Sequence, residues 1–145
     1  MIVVVLGEHG DSSIVAWNSA TIGSITLNDF CVQTKTPITE ITRTTIEHRV
    51  HTAAYEIIRG RGATWDGIAG AVADLVRCIA NDENRILTVS SVEGIGTKAV
   101  AISMPRIVGS MGIRQMLVPQ LSIQEISGIN HSAGIVRKNF DTIAK

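Results

Sequence analysis

The stretch from Gly94 to Ala99, GIGTKA, decides the fold. It fits the pattern Gly-x-Gly-x-x-Gly/Ala that dinucleotide-binding βαβ units place between a strand and a helix, and it follows a β-rich run, Ile86 to Val92. Such a loop holds pyrophosphate only because a helix N-terminus comes next and presents its free N–H groups. Here the next residues are Val100-Ala101-Ile102-Ser103-Met104, which read as a strand. GIGTKA is therefore a hairpin turn, and the chain doubles back antiparallel. A second glycine turn, Gly109-Ser110-Met111-Gly112, leads to another short strand over Ile113 to Val118, so an antiparallel meander is predicted.

Helices flank the meander. After it, Ser122-Ile123-Gln124-Glu125 is a capping box, and apolar residues from Ile126 to Ile143 step by three and four to the end. Before it, a helix is expected from Thr64 to Ala80, with Ile68, Val72, Leu75, Val76 and Ile79 inward. Gly67, Gly70, Ala71 and Ala73 would let another backbone approach closely. An earlier helix should begin at Pro37 with Thr36 as its N-cap and end in the cations and glycines of Arg59-Gly60-Arg61-Gly62. Ser24 to Thr36 is irregular and polar, which reads as loop. At the front, Ile2-Val3-Val4-Val5-Leu6 reads as a strand buried on both faces and stopped by Gly7. Strands and helices are segregated along the chain and do not alternate, so the fold class is α+β, one domain over 1–145.

Composition narrows the function. A chain of 145 residues can bury about two-thirds of its unfolded surface without a staple. Lys+Arg and Asp+Glu both number 13 and form no runs, which argues against a nucleic-acid or polybasic membrane partner. Cys31 and Cys78 are far apart and make neither a disulfide framework nor a zinc site, so free thiols in a reducing cytoplasm are expected. The opening apolar run is too short for a secretory signal or a membrane span. With aromatics at 3%, the core should be aliphatic.

Histidines are the candidate chemical groups. His48 and His51 lie three apart beside Glu47 with no third metal ligand at a useful spacing, so they read as a solvated helix face; His131 has no partner, and no metal site is expected. His9 has a different setting, in GEHGDS, residues Gly7 to Ser12. It sits at a strand end, beside Gly10 and between Glu8 and Asp11, where proton-transfer residues are often held. On chemistry alone a solvated loop histidine is the commoner outcome.

GEHGDS, followed by Trp17, resembles the active-site segment of the NAD-dependent L-lactate/malate dehydrogenase family, in its lactate dehydrogenase branch. The resemblance continues through Ala54-Tyr55-Glu56-Ile57-Ile58, Gly60-Arg61-Gly62-Ala63-Thr64, Gly67-Ile68-Ala69, Val89-Ser90, Pro105 and Gly109…Gly112-Ile113 to the last helix. It implies the C-terminal, substrate-binding domain of such an enzyme, with no Rossmann domain in this chain. By the same resemblance His9 is the catalytic acid/base, Thr64 lines the pocket for the 2-oxo acid's side chain, and Ile68 offers an apolar surface to the nicotinamide of NAD. An imidazole suits the first role because it can hold either protonation state near neutral pH.

The family's phosphate loop, its ribose-binding acid, the aspartate that orients the imidazole and its substrate-binding arginines come from the nucleotide-binding domain. The chain is expected to be a fragment or separate domain without turnover of its own. The partners implied are a small 2-oxo or 2-hydroxy acid, the missing nucleotide-binding domain and, in the intact enzyme, further copies in a homo-oligomer. Pyruvate and L-lactate are the expected pair. L-2-Hydroxyisocaproate and malate stay open, because Trp65 beside Thr64 is bulky and the loop that separates malate enzymes is not in this sequence. Ile2 stands where members activated by fructose 1,6-bisphosphate carry a histidine, so that activation is not expected. A domain that only associates, without catalysis, is the reading from another class.

Overall fold

A computed structural model describes residues 1–94 and 99–143. In chain order these form β1 (Val5–Leu6), β2 (Ile14–Val15), a 3-10 turn (Trp17–Ser19), β3 (Thr21–Ile22), β4 (Ile25–Thr26), α1 (Leu27–Thr34), α2 (Glu40–Arg61), α3 (Trp65–Ala80), β5 (Arg85–Glu93), β6 (Val100–Gly109), β7 (Gly112–Met116) and α4 (Ile123–Ile143). The expected antiparallel meander is present, in the order β5-β6-β7. Glu93 pairs with Val100, so β5 and β6 run back on each other on either side of GIGTKA, whose residues 95–98 lie outside the described residues.

The central strand, β6, carries most of the burial: Ile102, Met104, Val108 and even Arg106 are covered. Arg106 Nη2 lies 2.5 Å from Glu93 Oε1 without hydrogen-bond alignment, so this nearly enclosed charge is held by ion pairing, with its Nε donating to the Val89 carbonyl at 3.3 Å. On β6 rest α4 and α3, the latter with Cys78 fully buried and donating through sulfur to the Val108 carbonyl. The capping box of α4 is formed, with Ser122 and Glu125 exchanging backbone-to-side-chain bonds of 2.6 and 3.2 Å. The other Glu125 oxygen accepts from Asn18 N–H at 2.9 Å and ties α4 to the 3-10 turn.

The opening apolar run meets two clusters, as strand periodicity requires. Leu6, with Ala16, Ile102 and Met104, forms one; Val15, Trp17, Ala20 and Leu27 form the other, with Val3 and Val5 against them. Burial is nevertheless incomplete, which corrects the expectation of a strand covered on both faces. Only Val5–Leu6 pairs as a strand, and Ile2 is 68% exposed. The run lacks a continuous partner strand: Ile2 bonds to Thr21, the Val4 carbonyl accepts from Ala16 N–H, and only Val5–Leu6 pairs with Ile14–Val15.

Three further expectations change. The segment read as loop contains α1, capped by Thr26, whose Oγ1 accepts from Asp29 N–H. The long helix starts at Glu40 with Thr39, and not Thr36, as N-cap, because Thr39 Oγ1 takes the Thr42 N–H at 3.2 Å while Ile38 packs on the second cluster. In α3, Leu75, Cys78 and Ile79 face inward, but Ile68, Val72 and Val76 are more than half exposed. Among the described residues nothing outside the helix's own neighbouring backbone lies within 4 Å of where a Cβ would stand on Gly67 or Gly70, so the close backbone approach expected there is not seen.

Candidate active site

β1 and β2 pair over two residues each, and the loop between them, Gly7–Ser13, carries His9. Backbone and side-chain bonds pin this loop on both sides of the histidine. Gly7 exchanges hydrogen bonds of 3.1 and 2.8 Å with Ser103 of β6. Its φ of +99° is one that side chains rarely adopt, and a Cβ would stand 2.6 Å from Ser132 Oγ, so glycine is required there. Ser132, fully buried in α4, accepts the Glu8 N–H at 2.7 Å. The Glu8 carboxylate accepts both the Ser12 N–H, at 3.2 Å, and the Ser12 hydroxyl. Ser13 N–H donates to the Gly10 carbonyl at 3.1 Å.

The His9 side chain is exposed, and no hydrogen bond to its ring forms among the described residues. It lines a cleft of about 520 Å³. Glu8 and Asp11 of the same loop, His51 and Tyr55 of α2, and Thr88 and Ser103 of the sheet also line it. A donor or acceptor entering the cleft would find an unoccupied imidazole on a fixed backbone. Among the described residues the lining holds no arginine or lysine, so nothing in it matches a carboxylate with a guanidinium fork.

Thr64 is not in this cleft. It lines a second cavity, of about 330 Å³, with Ile57, Gly60 and Gly67. The two cavities share α2 as a wall, Ala54 and Tyr55 serving the first and Ile57 and Gly60 the second. Thr64 occupies the N-cap position of α3, yet its hydroxyl makes no cap bond. Ile68 lines neither cavity and stands 54% exposed on the next turn of α3. His48 and His131 are exposed, in keeping with solvated helix faces. His51 is not: half-buried, it bonds through Nε2 to the Ser13 carbonyl at 3.0 Å, because the loop passes directly over that face of α2. Sequence reading gave no role to His51 or Ser132. Only the four-residue step from His51 to Tyr55 hinted at a shared face, and nothing local marks Ser132.

Comparison with known proteins fixes the kinship. All of residues 1–145 match the model of the lactate/malate dehydrogenase α/β C-terminal domain. The chain belongs to the lactate/malate dehydrogenase family. Over 135 residues it is 43% identical to an L-lactate dehydrogenase of Allorhizobium ampelinum, and 40% identical to one of Thermus aquaticus, in each case across 92% of this chain and 44% of the relative. A crystal structure of a lactate dehydrogenase from a Medee basin deep-sea metagenome library superposes with a TM-score of 0.89 at 34% identity, over 99% of this chain and 46% of the other. The chain thus spans less than half the length of the relatives it matches. It corresponds to the C-terminal domain of that family, with which the α+β architecture agrees. No helix among the described residues is long and apolar enough to cross a membrane.

Proposed function

We propose that this lactate/malate dehydrogenase domain is the substrate-binding, catalytic half of an NAD-dependent L-2-hydroxy-acid dehydrogenase, with pyruvate and L-lactate as its pair and a cytoplasmic setting. The observation that carries this reading is the His9 ring, exposed and without a hydrogen-bond partner among the described residues, at the centre of a loop that is bonded on both sides. Protonated, His9 donates an N–H to the 2-oxo oxygen and gives up that proton as the carbonyl carbon is reduced. Neutral, it takes the proton of the 2-hydroxyl in the reverse direction. NADH supplies the hydride when bound. Of the cofactor only the nicotinamide end would be met here, by the exposed apolar surface of Ile68.

Thr64, with its hydroxyl free of a capping bond, lines the pocket for the acid's side chain. Around His9, where the 2-oxo group would bind, no guanidinium lines the cleft among the described residues, although Arg61 lines the Thr64 cavity. A nucleotide-binding domain therefore supplies the cationic grip on the substrate carboxylate, as well as the phosphate and ribose sites. Exposed apolar residues on α2 and α3 suit packing against that domain and against further copies in a homo-oligomer.

The test joins the chain to the nucleotide-binding domain of an L-lactate dehydrogenase and follows NADH oxidation with pyruvate, 4-methyl-2-oxopentanoate and oxaloacetate. The joined protein should turn over with pyruvate preferred, and the 145-residue chain alone should not. A folded, assembled but inert product would favour a domain that only associates.

A further inference from the structure

We infer that helix α2 holds His9 in register through His51, which makes His51 a positioning residue for the acid/base chemistry proposed above, on which this inference rests. The bond runs from His51 Nε2 to the Ser13 carbonyl at 3.0 Å. A carbonyl can only accept, so Nε2 carries the proton. Ser13 is tied at its other backbone group as well, its N–H donating to the carbonyl of Gly10, the neighbour of His9. Two bonds therefore connect α2 to the residue beside the imidazole. One helical turn further on, Tyr55 lies on the same face and its hydroxyl stands 3.4 Å from Asp11 Oδ1, a second and weaker grip on the loop.

His51 is also a partition. It lines the His9 cleft and, together with Ser13, a neighbouring cavity of about 510 Å³ that contains Trp17, Arg43 and Glu47. The mechanical setting differs on the two sides of the loop. On one side, Ser103 belongs to the sheet and Ser132 is fully enclosed. On the other, α2 buries none of its residues and is anchored by Ile46, by Glu47 accepting from Trp17 Nε1 at 2.6 Å, and by Arg43 over the Trp17 ring. The α2 side can therefore shift at lower cost, and His51 carries any such shift to the loop.

Two variants separate the bond from mere bulk: His51→Leu removes the donor, and His51→Gln keeps an N–H on a side chain of similar reach. In the ¹⁵N spectrum of the 145-residue chain, His51→Leu should move the amides of residues 8–13 while leaving Val108 in place, and His51→Gln should move them far less. In the joined enzyme His51→Leu should lower kcat by about 10- to 100-fold with KM nearly unchanged, with His51→Gln recovering most of the loss. Should the leucine variant fail to fold, Tyr55→Phe serves in its place, with the same direction and a smaller drop. Unmoved loop amides together with kcat within about twofold of the parent would overturn the inference. If the amides move but His9→Asn leaves turnover intact, the grip of His51 stands and the acid/base reading of His9 fails.

Discussion

The loop Gly7–Ser13 and the helix pair α2–α3 contrast in what holds them. The loop is polar and exposed at its tip, yet its backbone is bonded to β6, α4 and α2. The helices are regular and rich in apolar residues, yet α2 buries no side chain and Ile68, Val72 and Val76 of α3 remain open. Local regularity and fixed position are thus separate properties. The irregular segment is the one located by the rest of the chain, which is what an acid/base group needs, while the helices leave apolar surface exposed.

Substitutions at glycine sharpen this contrast. Gly7→Ala should cost the most, about 2–5 kcal/mol, since it adds left-handed strain to a close contact with a buried serine; urea unfolding of the 145-residue chain measures it. Next comes Ser132→Ala, at about 1–3 kcal/mol, because the Glu8 N–H loses its acceptor. The double variant should lose less than the sum of the two single losses, as removing the Ser132 hydroxyl also removes the nearest atom to the new Cβ. Gly70→Ala, in the open part of α3, should instead stabilise the chain by about 0.5–1 kcal/mol, since among the described residues no neighbouring group stands near the added methyl and alanine favours a helix.

The smallest effect is expected where α3 is anchored. Asp82, just beyond its end, has its carboxyl held below the usual range by the Ser110 backbone N–H, with Arg114 adding to this. A lowered folded pKa contributes stability that is present above the unfolded value and lost as pH falls through the folded one. Asp82→Asn should therefore lower Tm slightly at neutral pH and flatten its fall below about pH 4, so that variant and parent converge in acid. An unchanged acid limb would show that this carboxylate plays no part in anchoring α3.

Much of the fold is legible in the sequence where a pattern is local. Glycine turns between β-branched runs announce the meander, and Ser122 with Glu125 announces α4. The short α1 hides because its apolar residues are few, although Thr26 and Asp29 form a capping pair three residues apart. Apolar periodicity marks the inner stripe of α3 but cannot say whether this chain covers it, so Ile68, Val72 and Val76 read as core and are not. In the site, His9 stands out by its motif. Its supports do not, because Ser103 and Ser132 come from distant sequence and are brought beside Gly7 and Glu8 only by the sheet and the last helix.

His9→Asn in the joined enzyme tests most directly whether a free ring on a pinned backbone performs the proton transfer. Since the ring is exposed and makes no hydrogen bond among the described residues, its replacement should leave the unfolding midpoint of the 145-residue chain unchanged. Over the same substitution kcat for pyruvate reduction should fall by about 10²- to 10⁴-fold. Turnover within about twofold of the parent, with the protein folded and assembled, would contradict the assignment of His9 as the acid/base group.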